Sequence, residues 1–161
     1  MELTQDRLQQ LFNYDPQTGA FTRRVKTCNS IPIDSPVGAE DRHGYRRVKI
    51  DRKSYFLHRL AWLYVYGVMP TLHIDHINGM VGDNRIANLR EVTREMNLQN
   101  QRRAQRGTRS GLLGAYPNGR KWRAAIQTNG VYRTLGNFDT AEEAHAAYLA
   151  AKRTEHATCT I

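Results

Sequence analysis

The sequence predicts an α+β chain built as two small domains, residues 1–106 and 107–161, and three observations predict it. Short runs rich in β-branched and aromatic residues are interspersed with amphipathic stretches at helical spacing, and Gly, Asn and Asp punctuate them. The stretch Gln-Arg-Arg-Ala-Gln-Arg-Gly-Thr-Arg-Ser-Gly at 101–111 carries almost no apolar side chain, so it cannot bury itself in a core and marks a boundary. Charge is also unevenly spread. From Gln101 to Phe138 there are eight basic residues and no acidic one before Asp139.

The first element is a short helix. Thr4 caps it, Leu3 and Leu8 stand as a hydrophobic staple, and Leu8, Leu11 and Phe12 recur at helical spacing. Residues 13–19 read as a turn, and 20–25 and 45–50 as strands, the second alternating Arg47 and Lys49 with Val48 and Ile50. Residues 51–54 turn the chain back into a helix carrying Leu57, Leu60, Ala61 and Tyr64 on one face and ending near Gly67 and Pro70. His58 and Arg59 at its start suit either packing or a phosphate contact. Further on, 72–77 reads as a strand, 78–87 as a loop and 89–92 as a second strand, with Thr93 capping a helix that carries Asn97 and Asn100.

The second domain is predicted as three strands and one helix. Strands at 121–128 and 131–138 join at Asn129-Gly130, a strong hairpin signal, with a third at 112–116 beside them. Thr140 and Glu143 form a capping box, and Ala144, Ala147, Tyr148 and Ala151 make the apolar stripe that faces the sheet. Alternation along the middle strand sends Trp122, Ala124 and Ile126 to the helix side and Arg123, Ala125 and Gln127 to the open side.

A net charge of +9 and a pI near 9.9 suit a polyanionic partner, nucleic acid before an anionic membrane surface. No apolar run approaches the roughly 18 residues of a membrane span. The polar start lacks the apolar segment of a secretory signal, and a soluble, intracellular protein is expected. Cys28 and Cys159, far apart and without CxxC spacing, are expected to be reduced thiols with no assigned role.

The stretch from His73 to Asn100 carries the chemistry. A hard divalent cation prefers oxygen ligands, and the Asp75 carboxylate and Asn97 amide oxygen are such donors. A neutral imidazole, His76, has an ordinary pKa near 6.5 and can take a proton from water near neutral pH. Asn88 is expected to bond across the loop and fix that imidazole. A hairpin laid across a helix would gather Asp75, His76 and Asn97. His73 and His76 form H-x-x-H, but no third or fourth zinc ligand stands at structural spacing. Asp83 and Asn84 suit loop architecture, and Arg85 is open between that and a backbone contact.

Asp75-His76, Asn88 and Asn97, with the intervening Asn-Gly and Asp-Asn-Arg, resemble the HNH motif of phage and intron-encoded endonucleases. The upstream Tyr14-Asp-Pro-x-Thr-Gly, Gly44-Tyr45 and His58-Arg-Leu-Ala-Trp62 are similar to the lead-in of that group. Trp122-Arg-Ala-Ala-Ile126 and Leu135-Gly-Asn-Phe-Asp-Thr-Ala-Glu-Glu-Ala144 resemble an AP2-type DNA-binding domain. The resemblance implies a ββα-metal nuclease fold followed by an AP2-like sheet and helix, with homing-type cleavage of double-stranded DNA. It implies Mg2+, or another divalent cation such as Mn2+, on Asp75 and Asn97, and Asp75, His76, Asn88 and Asn97 as the catalytic set. Asn97 stands where the motif has its second histidine, a substitution found in nicking members. Arg102, Arg103, Arg106, Arg120, Lys121 and Arg133 would hold phosphates, and Arg123 and Gln127 would read bases from the major groove. Leu135 points inward, and strand parity would turn Arg133 the same way. A monomer with no protein partner is expected, in a bacterial host cytoplasm if the gene is phage-borne. The rival is a DNA-binding regulator on a degenerate HNH scaffold, with RNA a weaker substrate for want of an RNP-type aromatic motif.

Overall fold

The computed structural model describes residues 3–26, 30–105, 107–156 and 159; Cys28 and Arg106 lie outside the described residues. The chain separates into two compact units, Met1–Val92 and Thr93–Ile161. Small antiparallel sheets and short helices make up both, an α+β architecture.

In the first unit Thr4 accepts from the Arg7 N–H and starts α1 (Gln5–Leu11), with Leu3 and Leu8 both buried as the staple requires. Phe12 does not continue that helix. It opens β1 (Phe12–Tyr14), because Phe12 and Tyr14 bury alternate positions while Asn13 faces out, a period of two. β1 pairs with β2 (Phe21–Arg23), Tyr14 opposite Phe21. A sheet of β3 (Ala39–Glu40), β4 (Arg46–Ile50) and β5 (Lys53–Phe56) follows, in that spatial order, and β3 had no signal in the sequence. α2 (Leu57–Tyr66) buries Leu57, His58, Leu60, Ala61 and Leu63, and Gly67 ends it at φ 78°, its N–H donating to the Leu63 carbonyl. Leu57, Leu60, Ala61 and Leu63 share one core with Leu8, Phe21, Val37, Ile74 and Leu89. The last two come from the hairpin of β6 (His73–His76) and β7 (Leu89–Val92), whose one face is thereby fixed on the core.

The second unit opens with α3 (Arg94–Gln99), capped by the Thr93 hydroxyl, which accepts from the Met96 N–H. Asn97 lies within α3, whereas Asn100 is its C-terminal cap. The sheet is β8 (Ala115–Asn118), β9 (Lys121–Thr128) and β10 (Val131–Phe138), with β9 in the middle. β8 starts three residues later than the predicted strand. Gly114 precedes it at φ 72°, where a Cβ would lie 2.0 Å from the Tyr148 ring, so a tight approach replaces strand geometry. Asn129 and Gly130 both have positive φ, 53° and 79°, as a type I′ hairpin turn requires. α4 (Ala141–Glu155) carries the complete capping box and sets Ala144 against Ala124 and Ala115. Thr140→Ala is expected to lower the stability of this unit by about 1 kcal/mol, and Thr140→Ser by only a few tenths, measured by thermal unfolding. Among the described residues no helix is long and apolar enough to cross a membrane.

Candidate active site

The β6–β7 register sets Asp75 opposite Arg90 and His76 opposite Leu89. Neighbours along a strand point to opposite faces, and the contacts follow that rule. On one face Asp75, 5 % exposed, accepts from Arg90 at Oδ2, 2.9 Å from Nε and 2.7 Å from Nη2. On the other face His76, 4 % exposed, packs edge-on against His58, ring centres 5.1 Å apart, with Tyr45 at 6.1 Å. The hairpin therefore makes Asp75 and His76 adjacent in the chain without joining them on one face. Asn97 is carried by α3, in the second unit. His73 is exposed opposite Val92, on the face away from His76, so the H-x-x-H spacing forms no pair. Among the described residues no group of three or more His, Cys, Asp or Glu stands together.

A closed polar network shapes the loop from 77 to 88. Asn88 accepts from the Asn78 N–H at Oδ1 and donates from Nδ2 to the Asp83 carbonyl, each at 2.9 Å, while its own carbonyl accepts from the Ile77 N–H. Asn88 thus bonds across the loop as expected, but the expected hold on the imidazole comes from a different residue. Asn84, 3 % exposed, places Oδ1 3.2 Å from His76 Nε2. Asp83 accepts from Asn78 and from Arg85, and the Arg85 hydrogen bonds push its carboxyl down to about 2, so this pair serves loop architecture. Since Asn84 Oδ1 is an acceptor, His76 Nε2–H donates to it, and in the neutral ring the lone pair lies on Nδ1.

Burial lowers the pKa of His76, outweighing the Asn84 hydrogen bond and the field of Asp75. Burial, with the His76 ring beside it, pushes His58 down to about 3. His58 also stacks on Phe56, ring planes 19° apart, so its place is one of packing. Arg59 is likewise structural, donating to the carbonyls of Pro70 and Leu72. In the sequence Tyr45 stands only as part of the lead-in motif, Asn84 suits the loop alone, and Arg90 is not singled out. Arg90 was recoverable in principle, because pairing residue 76 with 89 makes it the cross-strand neighbour of Asp75.

In the second unit Arg123 and Gln127 share the sheet face away from α4 with Tyr132, whose ring lies under the Arg123 guanidinium at 5.8 Å. The Arg123 Nε is buried without a hydrogen-bond partner, and Gln127 donates to the Gly130 carbonyl of the hairpin turn. This face is less open than alternation suggests. Ala125 is buried, and a cavity of about 330 Å3 is lined by Ala125, Gln127, Tyr116 and Tyr132 together with Glu95 and Leu98 of α3. Arg120 and Arg103 are exposed and Arg102 half-buried. Lys121 pairs with Asp139 at 3.1 Å. Arg133 stands opposite Ile126 on the helix side and pairs with Glu155 of α4, the inward side that parity implied.

Residues 55–99, which run from the end of β5 through α2 and the β6–β7 hairpin to α3, match the family model described as HNH endonuclease. The match is confined to this segment and does not extend past residue 99. Among solved structures the chain is similar to the one titled "DNA binding and cleavage by the HNH homing endonuclease I-HmuI", at 19 % identity and a TM-score of 0.45, covering 77 % of this chain and 71 % of that one. No curated protein sequence matches the chain.

Proposed function

We propose that this protein is a divalent-metal-dependent DNA endonuclease that hydrolyses phosphodiester bonds at preferred sites, cutting one strand. Residues 1–106 form the nuclease and 107–161 an AP2-like module that places it on double-stranded DNA. The observation that carries the reading is His76: a buried imidazole, neutral at physiological pH, one residue from a buried carboxylate, inside the segment that matches the HNH family model. Nδ1 takes the proton of the attacking water, and Asn84 holds the ring through Nε2. Asn88 keeps the loop closed beneath it.

Each proposed donor belongs to the oxygen class that a hard cation prefers. Asp75 is a buried carboxylate that already attracts the guanidinium of Arg90, and an amide oxygen such as that of Asn97 is the same class of donor. Asp75 and Asn97 would hold Mg2+ or Mn2+, which when bound supplies neutralisation of charge on the scissile phosphate and the leaving oxygen. Cleavage then leaves a 5′-phosphate. Asn97 standing in place of the motif's second histidine, as in nicking members, supports single-strand cutting. Arg102, Arg103, Arg106, Arg120 and Lys121 contact phosphates; Arg123 and Gln127 read bases, and Arg133 supports the sheet through Glu155.

Purified protein with supercoiled plasmid carrying its binding site and Mg2+ is expected to give open circles, with none in EDTA. Linear product would mean double-strand cutting, and no conversion would favour the regulator. Metal binding has its own readout. Mg2+ or Mn2+ is expected to raise the melting temperature of the wild-type protein, and Asp75→Asn, which keeps the shape of the side chain and an acceptor for Arg90, is expected to lose at least about tenfold in metal affinity.

A further inference from the structure

The motif Tyr14-Asp-Pro-x-Thr-Gly19 lies outside the matched family segment and carries none of the chemistry proposed above, yet it ends on the residue that holds the His76 ring. The turn between β1 and β2 is rigid by its own bonds. Asp15 accepts from the Gln17 N–H at 2.8 Å and from the Thr18 hydroxyl at 2.7 Å, and its carbonyl accepts from the Gly19 N–H at 2.8 Å. That turn sets Gly19 at φ 73° directly against the backbone of 84 and 85. A Cβ on Gly19 would stand 2.4 Å from the Arg85 nitrogen and 2.5 Å from the Asn84 carbonyl carbon, so only glycine permits the approach. From the other end of the turn the Tyr14 hydroxyl donates to the Asn84 carbonyl at 2.8 Å. The Tyr14 ring is clamped between Phe21, at 4.7 Å, and Tyr64, at 5.5 Å, and burial pushes its hydroxyl up to about 12, so it remains a donor.

We infer that the Tyr14–Gly19 turn is a positioning device for the catalytic histidine: it fixes the Asn84 backbone, so that the Asn84 side chain accepts from His76 Nε2–H and the lone pair is held on Nδ1. Neither the turn nor Asn84 touches the reacting atoms. A neutral imidazole in water populates both tautomers, and a buried acceptor 3.2 Å from Nε2 favours the one protonated there. The tyrosine and the glycine both act on Asn84 through its main chain, Tyr14 by its hydroxyl and Gly19 by a close approach that a Cβ would block. This inference rests on the reading of His76 as the base, but its central claim concerns the resting ring and is measurable without catalysis.

The test uses the full-length, metal-free protein with 15N-labelled histidine, and observes the His76 ring nitrogens by long-range 1H–15N correlation. Wild type is expected to show a protonated, pyrrole-type Nε2 and a pyridine-type Nδ1. Asn84→Ala is expected to give both tautomers in exchange, and Tyr14→Phe, which removes one hydroxyl and keeps the packed ring, a partial shift the same way. With Mg2+ and site-bearing plasmid, kcat is expected to fall at least about tenfold in Asn84→Ala and less in Tyr14→Phe, with KM for DNA unchanged. A wild-type ring protonated at Nδ1, or variants whose ring signals match wild type, would overturn the inference. If the tautomers behave as expected and the wild-type protein cuts no DNA, the nuclease reading fails while the positioning of His76 stands.

Discussion

His76→Ala is expected to cut DNA about 10²- to 10⁴-fold more slowly than wild type, a loss of about 3–5 kcal/mol of transition-state stabilisation, while binding the same DNA with similar affinity. The separation of the two effects follows from where the ring sits. His76 is buried among His58, Tyr45 and Asn84, whereas the cations proposed to grip phosphate lie at 102–121. Removing the ring deletes the proton acceptor and opens a cavity in a packed site, so part of any loss could be misfolding. Circular dichroism and a gel-shift titration on the same preparation separate the two. A folded, DNA-binding variant that nicks supercoiled plasmid at the wild-type rate would remove His76 from the chemistry.

How much of this site could be read beforehand depended on the range of the interaction. Local signals held: the Thr4, Thr93 and Thr140 caps, the Asn129-Gly130 turn and the β6–loop–β7 order are each decided within a few residues. Phe12 misled because Leu8, Leu11 and Phe12 fit a helix, while the competing strand signal, burial of Phe12 and Tyr14 around an exposed Asn13, was only three residues long. The side chains around His76 were harder still. Tyr45, His58 and Asn84 reach it from 31, 18 and 8 positions away in the chain, through a core whose assembly no local pattern encodes. Asn84 and Asn88 are chemically equivalent on paper. The loop's fold alone decides that Asn88 ties its two ends and Asn84 meets the imidazole.

The second large effect is on stability in acid, and it centres on His58. An unfolded histidine titrates near 6.5, whereas His58 in the folded protein is pushed down to about 3 by burial. Between those values the unfolded chain binds a proton that the folded chain refuses. Stability from this group is complete above pH 6.5 and is lost as pH falls towards 3, by about 2 kcal/mol at pH 5. His76, lowered in the same direction, adds to the loss. Carboxylates whose pKa values are lowered by hydrogen bonds, such as Asp83 and Asp41, contribute only at lower pH, as they leave their ionised range. Urea titrations at pH 7 and pH 5 are therefore expected to show a marked loss of stability in wild type, and a loss smaller by about 2 kcal/mol in His58→Leu, which has no proton to bind. Equal losses in the two proteins would mean that His58 is protonated in the fold. The His58–His76 contact would then hold a charge beside the proposed base, and a neutral ring pair could no longer be the reason for His76 acting near neutral pH.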